Sequence, residues 1–187
     1  MRRLSLFLAA ATLMASAAFA GTDVKVPPFS AITATSGVDV TLIYGPSPRV
    51  TVIQGDISKA RIEVRDGHTL EISGCNGLCV FHKTLKVEVV APRIDGVVAH
   101  SGADVAARGN FPKVPNLHVT AHSGGDVDAF AIPADTVDVN ANSGGDAKVT
   151  ALVSLNANAN SGGDITYRGH PPHANIKTSS GGDINGE

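Results

Sequence analysis

Tryptophan is absent from the chain and aromatic residues make up only 4% of it. A broad core wedged open by large rings is excluded, and the interior must be built from Val, Ile, Leu and Ala, which favours a narrow one. Neither sign of charge is in excess. The formal net charge is −2 and Lys and Arg do not cluster, which argues against nucleic acid as a partner. Cysteine is nearly missing too: Cys75 and Cys79 are the only two. Their Cys-x-x-x-Cys spacing is neither that of a thioredoxin-like centre nor that of a haem attachment site, and with His82 they form an incomplete zinc set. No Gly-x-Ser-x-Gly elbow is present to raise a nucleophilic serine. No segment beyond residue 20 carries a convincing helical period.

What is there begins with an export signal. Arg2 and Arg3 precede an apolar run from Leu4 to Met14, followed by Ala18-Phe19-Ala20, the layout of a secretory signal peptide spanning 1–20 and cut before Gly21. The run is short for a bilayer span of about 20 residues, so no transmembrane segment is expected after cleavage. No cysteine follows the cut to carry a lipid. The expected location is periplasmic or secreted, and in such an oxidising compartment Cys75 and Cys79 are expected to close a small loop as a disulfide, free thiols or a metal pair being the alternatives. Residues 21–187 have the length of a single domain.

The second half is repetitive. Ser101-Gly102-Ala103-Asp104, Ser123-Gly124-Gly125-Asp126, Ser143-Gly144-Gly145-Asp146, Ser161-Gly162-Gly163-Asp164 and Ser180-Gly181-Gly182-Asp183 recur with serine-to-serine steps of 22, 20, 18 and 19 residues, and Ser36-Gly37-Val38-Asp39 is an outlying sixth copy. A period near twenty points to units that cannot bury their own apolar face and must stack on their neighbours. Upstream of each serine the apolar residues fall on alternate positions: Ala121, Val119 and Leu117; Ala141, Val139 and Val137; Ala159, Ala157 and Leu155; Thr178, Ile176 and Ala174. Alternate residues of a strand share a face, so these point inward. Val105, Val127, Ala147, Ile165 and Ile184 resume the inward face after each corner. Gly-Gly supplies the backbone freedom for a reversal, Asp bonds the turn's own amides, and Pro133, Pro171 and Pro172 mark an opposite corner.

The fold expected is therefore all-β: a parallel β-helix, or β-solenoid, with coils of about 20 residues over roughly 85–187. The β region before it is less regular and caps or flanks the stack. Outward-facing residues would form ladders about 4.8 Å apart: His100, His122, Asn142, Asn160 and Ser179; Thr120, Asn140, Asn158 and Lys177; His118, Asp138, Asn156 and Asn175.

The order of these features resembles a known family. Phe29 and Ile32 lead to Gly37-Val38-Asp39-Val40; then come Asp66-Gly67-His68-Thr69-Leu70-Glu71-Ile72, Val87-Glu88-Val89-Val90-Ala91-Pro92, the Ser-Gly-x-Asp corners, and Asp164-Ile165-Thr166-Tyr167-Arg168-Gly169-His170-Pro171. Together they are similar to the putative auto-transporter adhesin, head GIN domain family of bacterial envelope proteins, over nearly the whole of 21–187. The stretch from Cys75 to His82 departs from the pattern. The resemblance implies a right-handed parallel β-helix-like fold in exported single-domain proteins, with no catalytic residues to carry over.

Three constellations are candidates for chemistry. The column Asp104, Asp126, Asp146, Asp164 and Asp183 is superficially like calcium-binding repeats, but those run at nine residues, and turn-capping carboxylates explain it. His100 and His122, with His118 beside them, lack a third and fourth metal ligand. Outer columns of Asn, Thr, Ser and His do not supply the clustered carboxylates of polysaccharide-cleaving enzymes. No metal and no cofactor is expected. The function expected is a non-enzymatic adhesion or binding module of the cell envelope, contacting a glycan or an envelope protein through His100, His118, His122, Asn140, Asn142, Asn158 and Asn160. A polysaccharide-active enzyme and a structural spacer are the alternatives, and end-to-end self-association is open.

Overall fold

The period-two alternation of apolar residues has one physical outcome here, a strand with one face in the core. The computed structural model describes residues 21–75 and 84–187. The predicted signal peptide, Cys79 and His82 lie outside the described residues. About 66% of the fold is strand, and among the described residues the one helical element is a 3-10 turn at Ile57–Lys59. In chain order the strands are β1 (Thr22–Val24), β2 (Ala31–Thr35), β3 (Val38–Tyr44), β4 (Arg49–Gln54), β5 (Arg61–Arg65), β6 (Thr69–Ser73), β7 (Leu85–Ala91) and β8 (Gly96–His100). They continue as β9 (Asp104–Arg108), β10 (Val114–His122), β11 (Asp126–Asn142), β12 (Asp146–Asn160), β13 (Asp164–Arg168), β14 (His173–Ser179) and β15 (Asp183–Gly186).

All fifteen hydrogen-bond into one sheet, which curls into a nearly closed, barrel-shaped wall around a single apolar core. Parallel ladders dominate. β6, β2, β8, β10, β11, β12 and β14 are neighbours in that order, and so are β7, β3, β9, β11, β12, β13 and β15. Antiparallel pairs complete the wall: β1 with β4, β4 with β7, and β5 with β6. The turn between β5 and β6 places Asp66 and Gly67 at φ 51° and 71°, and the His68 amide donates to the Arg65 carbonyl at 3.2 Å. Positive φ at both central residues is the hairpin geometry that Asp-Gly favours.

The expected parallel β-helix, or β-solenoid, with its regular coils over 85–187, is corrected by this topology. The sheet is mixed rather than parallel. Moreover β11 and β12 run 17 and 15 residues without interruption, so the predicted second corner does not divide either of them. Pro133 lies inside β11 opposite Thr150, and the ladder absorbs it through register shifts on either side. A proline lacks the amide hydrogen a ladder needs, and such an irregularity is where a strand tolerates it. Each long strand runs on through this irregularity and joins the two flanks into one sheet.

The core is a set of stacked apolar columns. Leu70, Ile32, Val97, Val119, Val139 and Ala157 occupy one register position on successive strands, and each is at most 1% exposed. Ile72, Ala34, Ala99, Ala121, Ala141 and Ala159 form the next, nearer the corner, and all but the first of these are alanines. Small side chains at that column let the wall curve tightly; larger ones fill the middle. The predicted inward residues of β14, Ala174, Ile176 and Thr178, are exposed, because this strand has a neighbour on one side only.

Candidate functional site

The corners set the spacing of everything on the surface. In each copy the serine takes positive φ, from 63° at Ser36 to 50° at Ser180, and the glycine after it lies between 67° and 79°. The carbonyls of His122, Asn142, Asn160 and Ser179 each accept a hydrogen bond from the second glycine of the following turn, at 3.0–3.2 Å. These are two-residue reversals of the primed kind. Gly102, Gly124, Gly144, Gly162 and Gly181 face open space, whereas a Cβ on Gly125, Gly145, Gly163 or Gly182 would stand 2.5–2.6 Å from the backbone of the strand one repeat earlier. Sequence reasoning asks both positive φ and close approach of the glycine pair without assigning either to one position. The structure separates the two, and gives half of the first role to serine.

Because every corner has the same form, the strands that enter it keep register and their outward side chains line up. Thr35, His100, His122, Asn142, Asn160 and Ser179 occupy one row. His100 Nδ1 lies 3.3 Å from Thr35 Oγ1 and 3.2 Å from Ser101 Oγ, and His122 Nδ1 lies 2.8 Å from Ser123 Oγ. A second row holds His118, Asp138, Asn156 and Asn175 and is linked along its length, by hydrogen bonds at Asn156 and Asn175 and by a close contact at His118. Asn175 Nδ2 donates to Asn156 Oδ1 at 3.0 Å, Asn156 Nδ2 donates to Asp138 Oδ1 at 3.2 Å, and His118 Nδ1 is 3.4 Å from Asp138 Oδ2. The row between them, Thr120, Asn140, Asn158 and Lys177, is different. Asn140 and Asn158 are exposed and, like the half-buried Asn142 and Asn160, make no side-chain hydrogen bond among the described residues. The structure thus brings all seven predicted residues onto one face, with His118 tied to Asp138 and the amides of the middle row left to solvent.

The aspartates line the other flank of the corners. Asp39, Asp104 and Asp126 are in register, as are Asp146, Asp164 and Asp183. Asp126 Oδ1 accepts from the Asp146 amide at 3.2 Å, so this carboxylate caps the next strand rather than its own turn. Asp183 at the end of the row accepts from the adjacent Ile184 amide. Burial and then the neighbouring Asp126 raise Asp104 above the ordinary carboxylate value, and the same two causes raise Asp146. Lys86, 3.5 Å from Asp39, is the counter-charge at the near end. No group of three or more His, Cys, Asp or Glu side chains among the described residues is placed to hold a metal ion. Ser73 Oγ accepts from the Cys75 amide at 3.4 Å and donates to the Cys75 carbonyl at 2.9 Å. Cys75 is not a free thiol, but with Cys79 outside the described residues their pairing stands as an expectation.

A feature that the sequence did not single out is a cleft of about 750 Å³ on the outside of β3, β7, β4 and β1, lined by Asp23, Asp39, Arg49, Thr51, Lys86 and Glu88 among others. Its charges are matched internally. Arg49 Nη2 donates to Glu88 Oε1 at 3.3 Å, and Thr51 Oγ1 donates to Asp23 Oδ1 at 2.7 Å. The alternation Arg49-Val50-Thr51-Val52 signals outward polar residues, but only the antiparallel pairing of β4 with β7 puts them beside Lys86 and Glu88.

A family model described as putative auto-transporter adhesin, head GIN domain, matches residues 28–115 and 111–171. No protein of curated function matches the chain. Among solved structures, a putative adhesin from Bacteroides fragilis is similar with a TM-score of 0.54 at 17% identity, over 89% of this chain and 96% of that one. A putative adhesin from Parabacteroides merdae gives 0.46 at 15% identity, over 90% and 95%. A putative lipid binding protein from Parabacteroides distasonis gives 0.40 at 17% identity, over 89% and 96%. The first of these shows a shared fold.

Proposed function

The chain belongs to the putative auto-transporter adhesin, head GIN domain family, and from that premise we propose that it is an exported, non-enzymatic binding module whose contact surface is the outer polar face of β8, β10, β11, β12 and β14. The observation that carries this reading is the middle row of that face, where Asn140 and Asn158 stand in register, exposed and without an internal partner among the described residues. Primary amides supply both donors and acceptors. A row of them on a rigid sheet meets a ligand that carries hydroxyls at intervals along its length, and a glycan is that kind of ligand. The bonded row beside it, His118, Asp138, Asn156 and Asn175, stiffens the platform. Cleavage of a glycosidic bond needs two carboxylates flanking it. In these rows Asp138 is the one carboxylate, and His118 and Asn156 hold it, which favours binding over hydrolysis.

Export rests on Arg2, Arg3 and the apolar run that follows them; cleavage before Gly21 would leave the domain in the periplasm or at the cell surface. No helix among the described residues is long and apolar enough to cross a membrane. Cys75 and Cys79, paired, would fit that oxidising location.

A thermal-shift screen of the purified protein against glycans tests the reading. A ligand at a hundredfold excess over its Kd adds about 2.7 kcal/mol to apparent stability. The triple variant N140A/N158A/H122A should fold and lose that shift. Each hydrogen bond contributes about 0.5 to 1.5 kcal/mol, so affinity falls by a factor of ten or more. A ligand that binds the triple variant as well as the parent places the contact elsewhere. A flat screen, with an envelope protein captured instead through the same residues, replaces the glycan by a protein partner.

A further inference from the structure

The two ends of the sheet are finished differently. At one end the edges are β1, only three residues long, and β5, whose Arg61, Glu63 and Arg65 form ion pairs with one another and with Glu71. Short edges and charged edges are how folded proteins keep strands from adding on. At the other end β14 bonds only β12 and β15 bonds only β13, so each leaves one edge of its backbone donors and acceptors unpaired. β14 is seven residues long, all of them exposed, with no proline and with Lys177 as its one Lys, Arg, Asp or Glu. Ile176 continues the column of Val119, Val139 and Ala157, each at most 1% exposed, yet is itself 44% exposed. The apolar core therefore opens at this end.

We propose that this end is closed by a second copy of the chain, related by a two-fold axis that runs between β14 and its counterpart, across the core, and between β15 and its counterpart. Any occupant must present two strand edges across a core of the same thickness, with apolar residues facing the gap between them. A second copy does so by construction, since a two-fold contact is self-complementary. The axis sets β14 antiparallel to its counterpart. Inward side chains must meet inward ones, because the side-chain period is two, so the axis passes between one inward residue and its own counterpart. Ile176 is the central residue of His173–Ser179 and takes that place. It then meets its own counterpart, Ala174 faces Thr178, and Lys177 faces Asn175, so no like charges are opposed. On β15 Ile184 meets its counterpart and Asp183 faces Asn185. The other end of the sheet, with blunted edges, offers no equivalent surface, so the assembly stops at two. In the pair the rows His118 to Asn175 and Thr120 to Lys177 run on into those of the second copy. One polar face of double length results, and a repeating ligand could engage both halves with a gain in avidity.

Sedimentation velocity on the purified protein over a concentration series tests this. A monomer–dimer equilibrium is expected, and Ile176→Lys, on the edge strand at a position already 44% exposed, should weaken it at least tenfold while leaving the circular dichroism spectrum and cooperative melting intact. An independent variant, Ile176→Cys, should form a self-linked dimer on oxidation, released by reductant, whereas Thr136→Cys, away from this edge on β11, should not. A protein monomeric at every concentration overturns the proposal, as does a dimer that Ile176→Lys leaves unchanged and Ile176→Cys fails to link.

Discussion

Ser143, Gly144 and Gly145 stand next to one another and answer to different physics. A left-handed backbone costs an L-residue about 1 to 2 kcal/mol, which serine meets at every corner, so φ alone does not demand glycine at the following position. Close approach does demand it at the next. The neighbouring copy gives a clean contrast. Gly162 takes φ 75° and a Cβ added there would find nothing within 4 Å, whereas a Cβ on Gly163 would stand 2.5 Å from the Ala141 carbonyl carbon. Gly162→Ala is expected to cost about 1 to 2 kcal/mol, and Gly163→Ala about 3 kcal/mol through overpacking against backbone that cannot yield. Urea unfolding of both variants decides it; equal costs would mean that the corner is limited by conformation alone. The sequence showed that a reversal occurs at Ser-Gly-Gly-Asp, because few other residues permit one. It could not show which glycine is crowded, since the crowding comes from Ala141, on a different strand some twenty residues away.

At the level of the strand, the inward columns were legible and their connection was not. Leu117, Val119 and Ala121 alternate with polar residues, and any strand with that pattern buries that side. Alternation is the same for parallel and antiparallel neighbours, however, so residues 49–53 and 60–64 read as strands without their direction. Pro133 signalled a break because proline usually ends a ladder, but a register shift against β12 carried β11 through it. The outer rows followed from the repeat spacing, while the cleft around Arg49 and Glu88 depended on a pairing that no spacing records. The aspartate column gives an element-level prediction. Burial and the Asp126 charge hold Asp104 above its ordinary value of 3.8, so the folded state binds its proton more tightly than the unfolded chain does. The stability associated with that proton is fully present below pH 3.8 and is lost as pH rises through the folded value. At pH 7 the ionised Asp104 therefore opposes folding, and Asp104→Asn should raise the urea midpoint. The gain should shrink as pH falls through the folded value and be lost well below 3.8, where the parent carboxyl is protonated in both states. A gain independent of pH would show that the carboxylate charge is not its source.

The whole molecule is one sheet around one core, with its longest strands in the middle. β11 pairs with β9, β10 and β12, and β12 pairs with β11, β13 and β14, so these two strands knit both flanks together and cannot open without exposing the centre of the core. β14 and β15 can peel away at the cost of one ladder each. Local opening free energy should follow that order. Hydrogen exchange is expected to be slowest for amides of β10, β11 and β12, reaching the global unfolding limit there, and faster by orders of magnitude in β14 and β15 of the dilute protein. Closure of the open end by a second copy adds a concentration dependence confined to those two strands: raising the protein concentration slows exchange in His173–Ser179 and Asp183–Gly186 and leaves β11 unchanged. Uniform protection along the chain would mean that the fold opens all at once and that the edge strands are as firmly held as the centre. Protection graded along the sheet but indifferent to concentration would keep the architecture described above and remove the second copy from the open end. The same strands that extend the polar face are the ones least secured by the monomer, so closure by a second copy would set both the length of that face and the stability of its far end.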